Sequence, residues 1–209
     1  MNKVLPLSSS IIAEKSVNAN LDFNYSLQIN DESYLSFDQA FFITQINHPL
    51  ILDTTKYMNA AKPLLTKGFE SSFHYKWNDL KVFLGYTFVD AKRKYFPAQP
   101  FLPLTPKNKI VLTTVYEKEE NWMVGFEGFY YSTMFRDGDT KTKPYFIIGL
   151  MAQKHFKHFT IIANCENILD TRQTRFENIV IPPISNPIFR QIYAPLDGRV
   201  FNVAVRINL

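Results

Sequence analysis

The sequence predicts an all-β protein, an antiparallel meander of about nine long strands that forms a transmembrane β-barrel. Three observations predict this fold: apolar and polar residues alternate strictly over long segments, connections are short and long in turn, and aromatic residues lie near the segment ends. The chain has no run of about 18 or more apolar residues, which excludes a transmembrane helix. If the chain crosses a membrane, it therefore crosses as strands.

The composition indicates a folded protein with an excess of aromatic residues. The 209 residues are 46% hydrophobic and 20% charged, so a core is expected and a wholly disordered chain is excluded. The net charge is only +4 and the Lys and Arg residues are scattered, which gives nucleic-acid binding little support. The 19 Phe and 11 Tyr residues are enough to build belts of rings as well as a core. Cys165 is the only cysteine, so no internal disulfide can form and no Cys/His zinc spacing exists.

The first strand is predicted at residues 17–30, where apolar and polar residues alternate through the whole segment. Val17 and Tyr25 lie on one predicted face, and Asn18 and Asp22 lie on the other. At about 3.3 Å per residue the strand is roughly 45 Å long, whereas strands of soluble domains usually have about five or six residues. Because about 9 to 11 residues cross a bilayer at a tilt, the segment is typical of a barrel strand.

Eight further segments have the same two-residue period. Most place rings and aliphatic side chains on one face, as Trp77 does opposite Lys76. The segments 109–117 and 145–154 are apolar on both faces in places, so the sequence leaves their orientation open. The eight predicted strands are residues 33–44, 68–77, 80–91, 109–117, 121–132, 145–154, 158–167 and 199–209.

The connections between these strands alternate in length. The first, third, fifth and seventh are tight turns with the sequences DE, ND, KEE and HFK. The second, fourth, sixth and eighth are long, at residues 45–67, 92–108, 133–144 and 168–198. Such a meander has two unlike ends, as transmembrane barrels do with short periplasmic turns and longer extracellular loops. The chain then ends on the periplasmic side.

A soluble β-sandwich is the main alternative fold, because it would also alternate and carry polar loops. The barrel is favoured by the strand lengths, by the alternating connections and by six rings near predicted strand ends. In a barrel these rings would form girdles at the membrane interfaces, and they belong to Tyr75, Trp77, Trp122, Tyr130, Tyr131 and Tyr145. Nine strands do not close a single-chain barrel, which has an even number. Either one strand is miscounted or the chain is part of a larger barrel.

Two segments near the C-terminus carry recognisable motifs. The segments NCENILDTRQTRF (164–176) and PIFRQIYAPLDGRVFNVAVRINL (187–209) contain an N-x-x-D turn, a loop and an alternating final strand. In this order they resemble the C-terminal end of the barrel of TonB-dependent outer-membrane receptors, with Asn167 and Asp170 matching the turn. Weaker resemblances to a proline-rich loop and to the beginning of a mid-barrel strand lie in LPLTPKNKIVLTTVYE (102–117) and IIAEKSVNANLDFNY (11–25).

The resemblance implies that the chain is the C-terminal part of a transmembrane β-barrel of about 22 strands. Such receptors lie in the cell outer membrane of diderm bacteria, bind a scarce nutrient and import it with energy from a TonB-type protein. The implied ligand is a siderophore, cofactor, glycan or peptide. A plug domain and earlier strands are not recognisable in residues 1–209, and residues 1–12 do not read as a secretory signal. The chain is therefore expected to be a partial barrel domain that does not transport alone.

Two further partners are implied by the resemblance, the outer-membrane lipid and the barrel-assembly machinery. This machinery is expected to read the alternating apolar face of the terminal strand, which consists of Phe201, Val203, Val205, Ile207 and Leu209. In the whole receptor the plug domain, the energy-coupling protein and a small-molecule, glycan or peptide ligand would be partners as well. Neither a cofactor nor nucleic acid is expected to bind.

The long loops hold the candidate ligand-binding residues. They offer rings for stacking and positive charge, although each side chain could equally serve to pack a loop. The candidates are Tyr57, Tyr95, Phe96, Phe101, Arg172, Arg175 and Phe176. Polar residues on the inward face either line a ligand path or form wetted wall against the plug, and they include Asn20, Asn24, Glu127, Asn164, Glu166 and Arg206.

Catalytic and metal-binding motifs are not recognisable in the sequence. His155 and His158 lie on a predicted turn without a carboxylate or cysteine at suitable spacing, so solvated histidines are expected rather than metal ligands. Phosphate loops, nucleophile elbows and H-E-x-x-H helices do not occur. No catalytic residue is predicted and the protein is not expected to be an enzyme. An outer-membrane protease or phospholipase stays open as an alternative, because its catalytic residues would come from separate strands.

Overall fold

The computed structural model describes residues 5–53, 55–138 and 140–207. Their dominant feature is one antiparallel sheet in which nine long strands lie in sequence order. Within these ranges no helix is long and apolar enough to span a bilayer. The elements are β1 (Lys15–Asn30), β2 (Ser33–Asn47), β3 (Leu50–Asp53), β4 (Lys56–Asn59), β5 (Leu64–Trp77), β6 (Leu80–Arg93), β7 (Asn108–Lys118), β8 (Trp122–Tyr131), β9 (Tyr145–His155), β10 (Phe159–Glu166), α1 (Gln173–Phe176), β11 (Val180–Ile181), β12 (Ile188–Phe189) and β13 (Val200–Ile207).

The nine predicted strands are confirmed in number and order. The order across the sheet is β1-β2-β5-β6-β7-β8-β9-β10-β13, and most strands extend one to four residues beyond their predicted ends. The sequence did not predict the β3–β4 hairpin, the β11–β12 pair or the single turn of α1, because elements of two to four residues are too short to show a period. Leu209, predicted as the last residue of the terminal strand, lies outside the described residues.

The strand register turns the two-residue period into two chemically distinct faces. Residues paired directly across antiparallel strands share a face. One such row is Tyr25, Phe37, Phe73, Leu84 and Leu112, which runs from β1 to β7. The neighbouring row on the opposite face is polar on β1, β2 and β5, at Asn24, Asp38 and Ser72, and continues through Gly85 into apolar residues on β7 to β9. The sheet therefore has one apolar face and one mixed face that is most polar on its first strands; this second face, called the polar face, also carries the predicted inward residues.

The apolar face lies exposed along the whole sheet. Large side chains at its two edges are strongly exposed, with 68% of Leu21 and 72% of Phe201 accessible. A soluble sandwich would bury this face against a second sheet about 10 Å away. In the described residues the buried hydrophobic cluster lies instead among the loops, around Met134, Tyr145 and Tyr193. This is the arrangement of a membrane-barrel wall and not of a sandwich.

The sheet is open, with β1 and β13 at its two edges. The tight turns all lie at one end and the long connections at the other, because the strands alternate in direction. Two predicted girdle rings differ from expectation. Tyr131 and Tyr145 pair on the polar face at the loop end, stack at 4.9 Å, and Tyr145 belongs to the buried loop cluster. They support the loops from inside instead of meeting lipid.

Candidate functional site at the loop end of the sheet

The N-terminal segment and the β3–β4 hairpin form one corner of the loop end. Tyr57 of β4 pairs through its backbone with Pro6 and Ser8, at 3.0 and 2.9 Å. The Asn59 side chain accepts a hydrogen bond from the Ile12 amide at 2.8 Å and donates to the Ile12 carbonyl at 3.0 Å. The residues before β1 are thereby fixed to the loop that follows β2.

A second contact region joins three long loops around an ion pair between a largely buried arginine and an exposed carboxylate. Arg93, at the end of β6, lies 3.1 Å from the Asp137 carboxylate and donates to the Gln99 carbonyl at 3.1 Å. The Gln191 side chain donates to the other Asp137 oxygen at 2.8 Å and accepts from the Asp137 amide at 3.1 Å. The loops 94–107, 132–144 and 167–199 therefore meet at Asp137.

Gln173 is the central anchor of the longest loop and is completely buried. Its Nε2 donates to the Gln191 carbonyl at 2.9 Å and to the Glu177 carboxylate at 3.0 Å. Its Oε1 accepts from the Tyr193 amide at 2.8 Å. One side chain thus holds the beginning of the loop at α1 against the returning segment around Tyr193.

Arg136 and Glu177 form a largely buried ion pair beside this anchor. The Arg136 side chain is only 7% exposed and bonds the Glu177 carboxylate. Its guanidinium also lies over the Tyr193 ring, 4.9 Å from the centroid. Burial raises the pKa of Tyr193, and the neighbouring Arg136 opposes the rise. Among the described residues the buried Nε atoms of Arg93, Arg136 and Arg172 have no hydrogen-bond partner.

The N-x-x-D turn closes the loop above the last strand. Asn167, at φ 49°, accepts a hydrogen bond from the Thr171 amide at 2.8 Å and donates to the Thr171 carbonyl at 2.9 Å. Asp170 accepts from Arg172 at 2.9 Å and from Arg175 at 2.6 Å. A Cβ at Gly198 would lie 2.4 Å from Asp170 Oδ1, so the returning chain needs glycine for this close approach.

The predicted ligand residues divide into two groups. In the first, Phe101 stacks on Phe135 at 4.3 Å, Phe176 packs on the buried cluster, and Arg172 and Arg175 pair with Asp170. The second group keeps more solvent contact: Tyr57 and Tyr95 are half-buried, and Phe96 is 43% exposed with Arg93 at 5.3 Å from its ring. Burial is the main cause that raises the pKa of Tyr95. The residues of the first group therefore already have partners within the loops.

The residues that organise the loop end were not predicted from the sequence. They are Arg93, Arg136, Asp137, Gln173, Glu177 and Gln191. Gln173 and Gln191 lie within the two segments that carry the family resemblance, but no motif position was assigned to them, and the partners of these residues lie up to 54 positions away in the chain. Opposite charges in different loops were the only available signal, and that signal does not specify pairs.

The polar face carries a hydrogen-bonded patch near the tight turns. Tyr34 donates to Ser26 at 3.0 Å, Ser26 to Asn24 at 3.1 Å, and Asn24 to the Asp38 carboxylate at 2.5 Å. His74 lies 3.9 Å from the same carboxylate. The patch presents both donors and acceptors, and its role as ligand path or as wall facing a plug stays a prediction.

The polar face brings together a serine, a histidine and an aspartate, the residue types of a hydrolytic triad, at Ser36, His74 and Asp38. The contacts among them differ from those of a triad. A triad needs the serine hydroxyl on the histidine and the histidine on the carboxylate. Here Ser36 donates to Asp38 at 3.4 Å, and His74 lies beside the same carboxylate. This geometry does not activate the serine.

The predicted histidine turn also lacks metal-site geometry. The two ring nitrogens of His155 contact Gln153 at 2.7 Å and Thr160 at 3.1 Å, while His158 is exposed. Throughout the described part of the chain, no three His, Cys, Asp or Glu residues come together to hold a metal ion.

The open meander, its exposed apolar face and its interlocked long loops define a transmembrane β-barrel of the outer-membrane type. Residues 11–168 match the family described as TonB dependent receptor-like, beta-barrel, and the chain belongs to this family. The family consists of receptors and transporters of the outer membrane of Gram-negative bacteria, and not of enzymes. No curated protein sequence matches the chain significantly.

Solved structures of three receptors have the same fold. The ferric-catecholate import receptor Fiu from E. coli K12 is 19% identical, with 95% of this chain and 29% of that chain covered at a TM-score of 0.65. The FrpB iron transporter from Neisseria meningitidis is 14% identical, with coverages of 97% and 31% and a TM-score of 0.68. The ferric yersiniabactin uptake receptor FyuA from Yersinia pestis is 16% identical, with coverages of 93% and 30% and a TM-score of 0.68. The chain thus spans about a third of the length of these structures.

Proposed function

We propose that the chain forms the C-terminal part of the barrel of an energy-coupled outer-membrane receptor for a scarce nutrient. The nutrient belongs to the class of siderophores, cofactors, glycans or peptides. The observation that carries the proposal is the loop end: three long loops meet at Asp137, above a sheet whose one face is polar and whose other face is apolar. A receptor needs this combination, because its loops meet the ligand outside the cell while its wall separates lipid from an aqueous interior.

The proposed receptor includes parts beyond this chain. The strands β1 and β13 are unpaired edges among the described elements, and backbone groups cannot stay unpaired in lipid. Further strands, a plug domain and a TonB-type protein are therefore proposed as partners in the assembled receptor. The outer-membrane lipid and the barrel-assembly machinery are proposed as partners of the wall and of the terminal strand.

Ligand contact is proposed for the more accessible ring residues of the loop end. Tyr57, Tyr95 and Phe96 offer ring surface without holding a buried cluster together. Phe101, Arg172, Arg175 and Phe176 act by keeping the loops in place. An enzymatic role is disfavoured because the triad-like group of Ser36, His74 and Asp38 lacks the serine to histidine contact.

Cysteine accessibility in intact cells tests the proposed orientation. The chain is fused to a secretion signal, carries Cys165→Ser, and receives one new cysteine at Ile184 in the longest loop or at Glu119 in a tight turn. Ile184 is 88% exposed and Glu119 is exposed as well, so local burial does not separate the two positions. A membrane-impermeant maleimide should label Ile184→Cys in intact cells, and Glu119→Cys only after the outer membrane is opened. Labelling of Glu119→Cys in intact cells, in chain recovered from the outer-membrane fraction, contradicts the proposal.

A further inference from the structure

We propose that the apolar face carries a binding site for an anionic phospholipid at the tight-turn end of β7, β8 and β9. The site combines a row of cationic and aromatic side chains with an apolar groove directly beside it. It depends on insertion of the sheet into a membrane and is independent of any ligand that the loops bind.

The polar part of the site is a row of three directly paired residues. Lys118 of β7 pairs with Trp122 of β8, and Trp122 pairs with Lys154 of β9. The three side chains therefore share the apolar face, with the indole between two cations. Tyr116 stacks on Trp122 at 5.1 Å between ring centroids. Both lysines are exposed.

The charge of this row is not neutralised by the surrounding side chains. Lys154 donates to the Asn121 side chain, which orients the ammonium group without cancelling its charge. In the described part of the chain neither Lys118 nor Lys154 forms an ion pair with a carboxylate. Glu119 and Glu120 in the adjoining turn are exposed and weaken the attraction for an anion, so we expect a moderate preference.

The apolar part of the site is a groove beside the Lys118–Trp122–Lys154 row. It is formed by the next two rows of paired residues, further from the tight turns. It encloses about 510 Å³. Ala152 and Ala163, paired directly across β9 and β10, leave its floor low, since their side chains end at Cβ. Phe126, Leu150 and Phe201 form a higher row along it. Such a groove accepts the flexible chain of a lipid.

The spacing and placement of the two parts fit one phospholipid molecule. Lys118 and Lys154 are two strands apart, which is roughly 10 Å at about 4.8 Å per strand, so a phosphate above Trp122 can be reached by both flexible side chains. Trp side chains favour the membrane interface, where a headgroup lies above an acyl chain. A headgroup without an ammonium group avoids repulsion from the lysines. Phosphatidylglycerol should therefore bind more tightly than phosphatidylcholine.

Quenching of Trp122 by brominated lipid tests this preference. The chain has two tryptophans, so Trp77→Phe leaves Trp122 as the only reporter. The full chain is refolded in mixed micelles of detergent and phosphatidylcholine that contain increasing amounts of phosphatidylglycerol with brominated acyl chains, and folded protein is separated from aggregate by gel filtration. Brominated phosphatidylglycerol should be enriched roughly fivefold over brominated phosphatidylcholine at Trp122, which corresponds to about 1 kcal/mol. Lys118→Gln with Lys154→Gln should reduce this enrichment to about one.

Matched variants separate the site from general charge attraction. Lys76→Gln with Lys81→Gln removes two charges from the polar face near the same end of the sheet and should leave the enrichment unchanged. Trp122→Phe leaves Trp77, which pairs with Ser33 and Leu80 on the apolar face without a lysine in its row, and this reporter should show no preference.

The groove is tested by filling it. Ala152→Phe should lower the quenching of Trp122 by brominated phosphatidylglycerol while both lysines are kept. Equal enrichment at Trp122 and Trp77, loss of enrichment in the Lys76 and Lys81 variant, or an unchanged signal in Ala152→Phe would each overturn the proposal.

Discussion

Replacement of Gln173 by alanine should release the longest loop from the rest of the loop end. The side chain is fully buried and makes three short hydrogen bonds, to the Gln191 carbonyl, the Glu177 carboxylate and the Tyr193 amide. Each buried bond contributes about 1 kcal/mol, and the unpaired groups left behind cost more. The substitution should therefore destabilise the closed loop by about 3 kcal/mol, which raises the fraction of open loop roughly a hundredfold.

Hydrogen exchange measured by mass spectrometry on the chain refolded in detergent micelles follows this opening directly. Peptides covering residues 187–197 and 173–177 should exchange much faster in Gln173→Ala, whereas peptides of β7 and β8 should not change. Gln45→Ala is the matched control, because Gln45 is exposed and its side chain donates to Asn47 alone, at 2.8 Å. An increase of less than about tenfold in loop exchange, or an equal increase in the sheet, would refute the anchoring role of Gln173.

Two further predictions concern strand pairing and alkaline pH. Gly68→Ala should prevent close pairing of β5 with β6, since a Cβ there would lie 2.0 Å from the Phe88 carbonyl oxygen. Gly85→Ala meets the movable Phe83 ring at 3.2 Å and Val111 at 3.8 Å, an ordinary contact distance, and should be tolerated. The recovery of heat-modifiable folded protein on gels checks this pair, and equal recovery of both variants would contradict it. Burial raises the pKa of Tyr193 in the closed loop above its ordinary value of 10.0. As pH rises, Tyr193 therefore ionises first in molecules whose loop is open. Its contribution to loop stability is complete below pH 10 and is lost as pH rises through the pKa of Tyr193 in the closed loop. Loop proteolysis should therefore accelerate in this range, and should do so less in Tyr193→Phe; identical pH profiles of the two proteins would be inconsistent with this cause.

The faces of the terminal strand were predicted correctly from the sequence. Phe201, Val203, Val205 and Ile207 lie on one face of β13 in the structure, as their alternation predicted. Their role in barrel assembly stays a prediction that follows from the family resemblance. Recognition of the family from the final motifs is confirmed by the match over residues 11–168, which lies mostly outside those motifs.

The partners of the ligand candidates within the protein could not be predicted from the sequence. Arg172 and Arg175 were selected for their charge, yet both pair with Asp170, a residue two to five positions away. Phe101 was selected for its ring, which is covered on one side by Phe135 from another loop. Residue type alone could not show that these groups already have partners within the protein.

The sequence by itself determined the strands, the two faces of most of them and the two unlike ends of the sheet. These features follow from a local two-residue period and from connection lengths, both of which are visible along the chain. Only the tertiary structure decided which loop residues meet, such as Arg136 with Glu177 and Gln173 with Tyr193. Loops have no period, and these two contacts join positions 41 and 20 residues apart in the chain. The strand register that carries them to one end of the sheet is therefore what sets their partners.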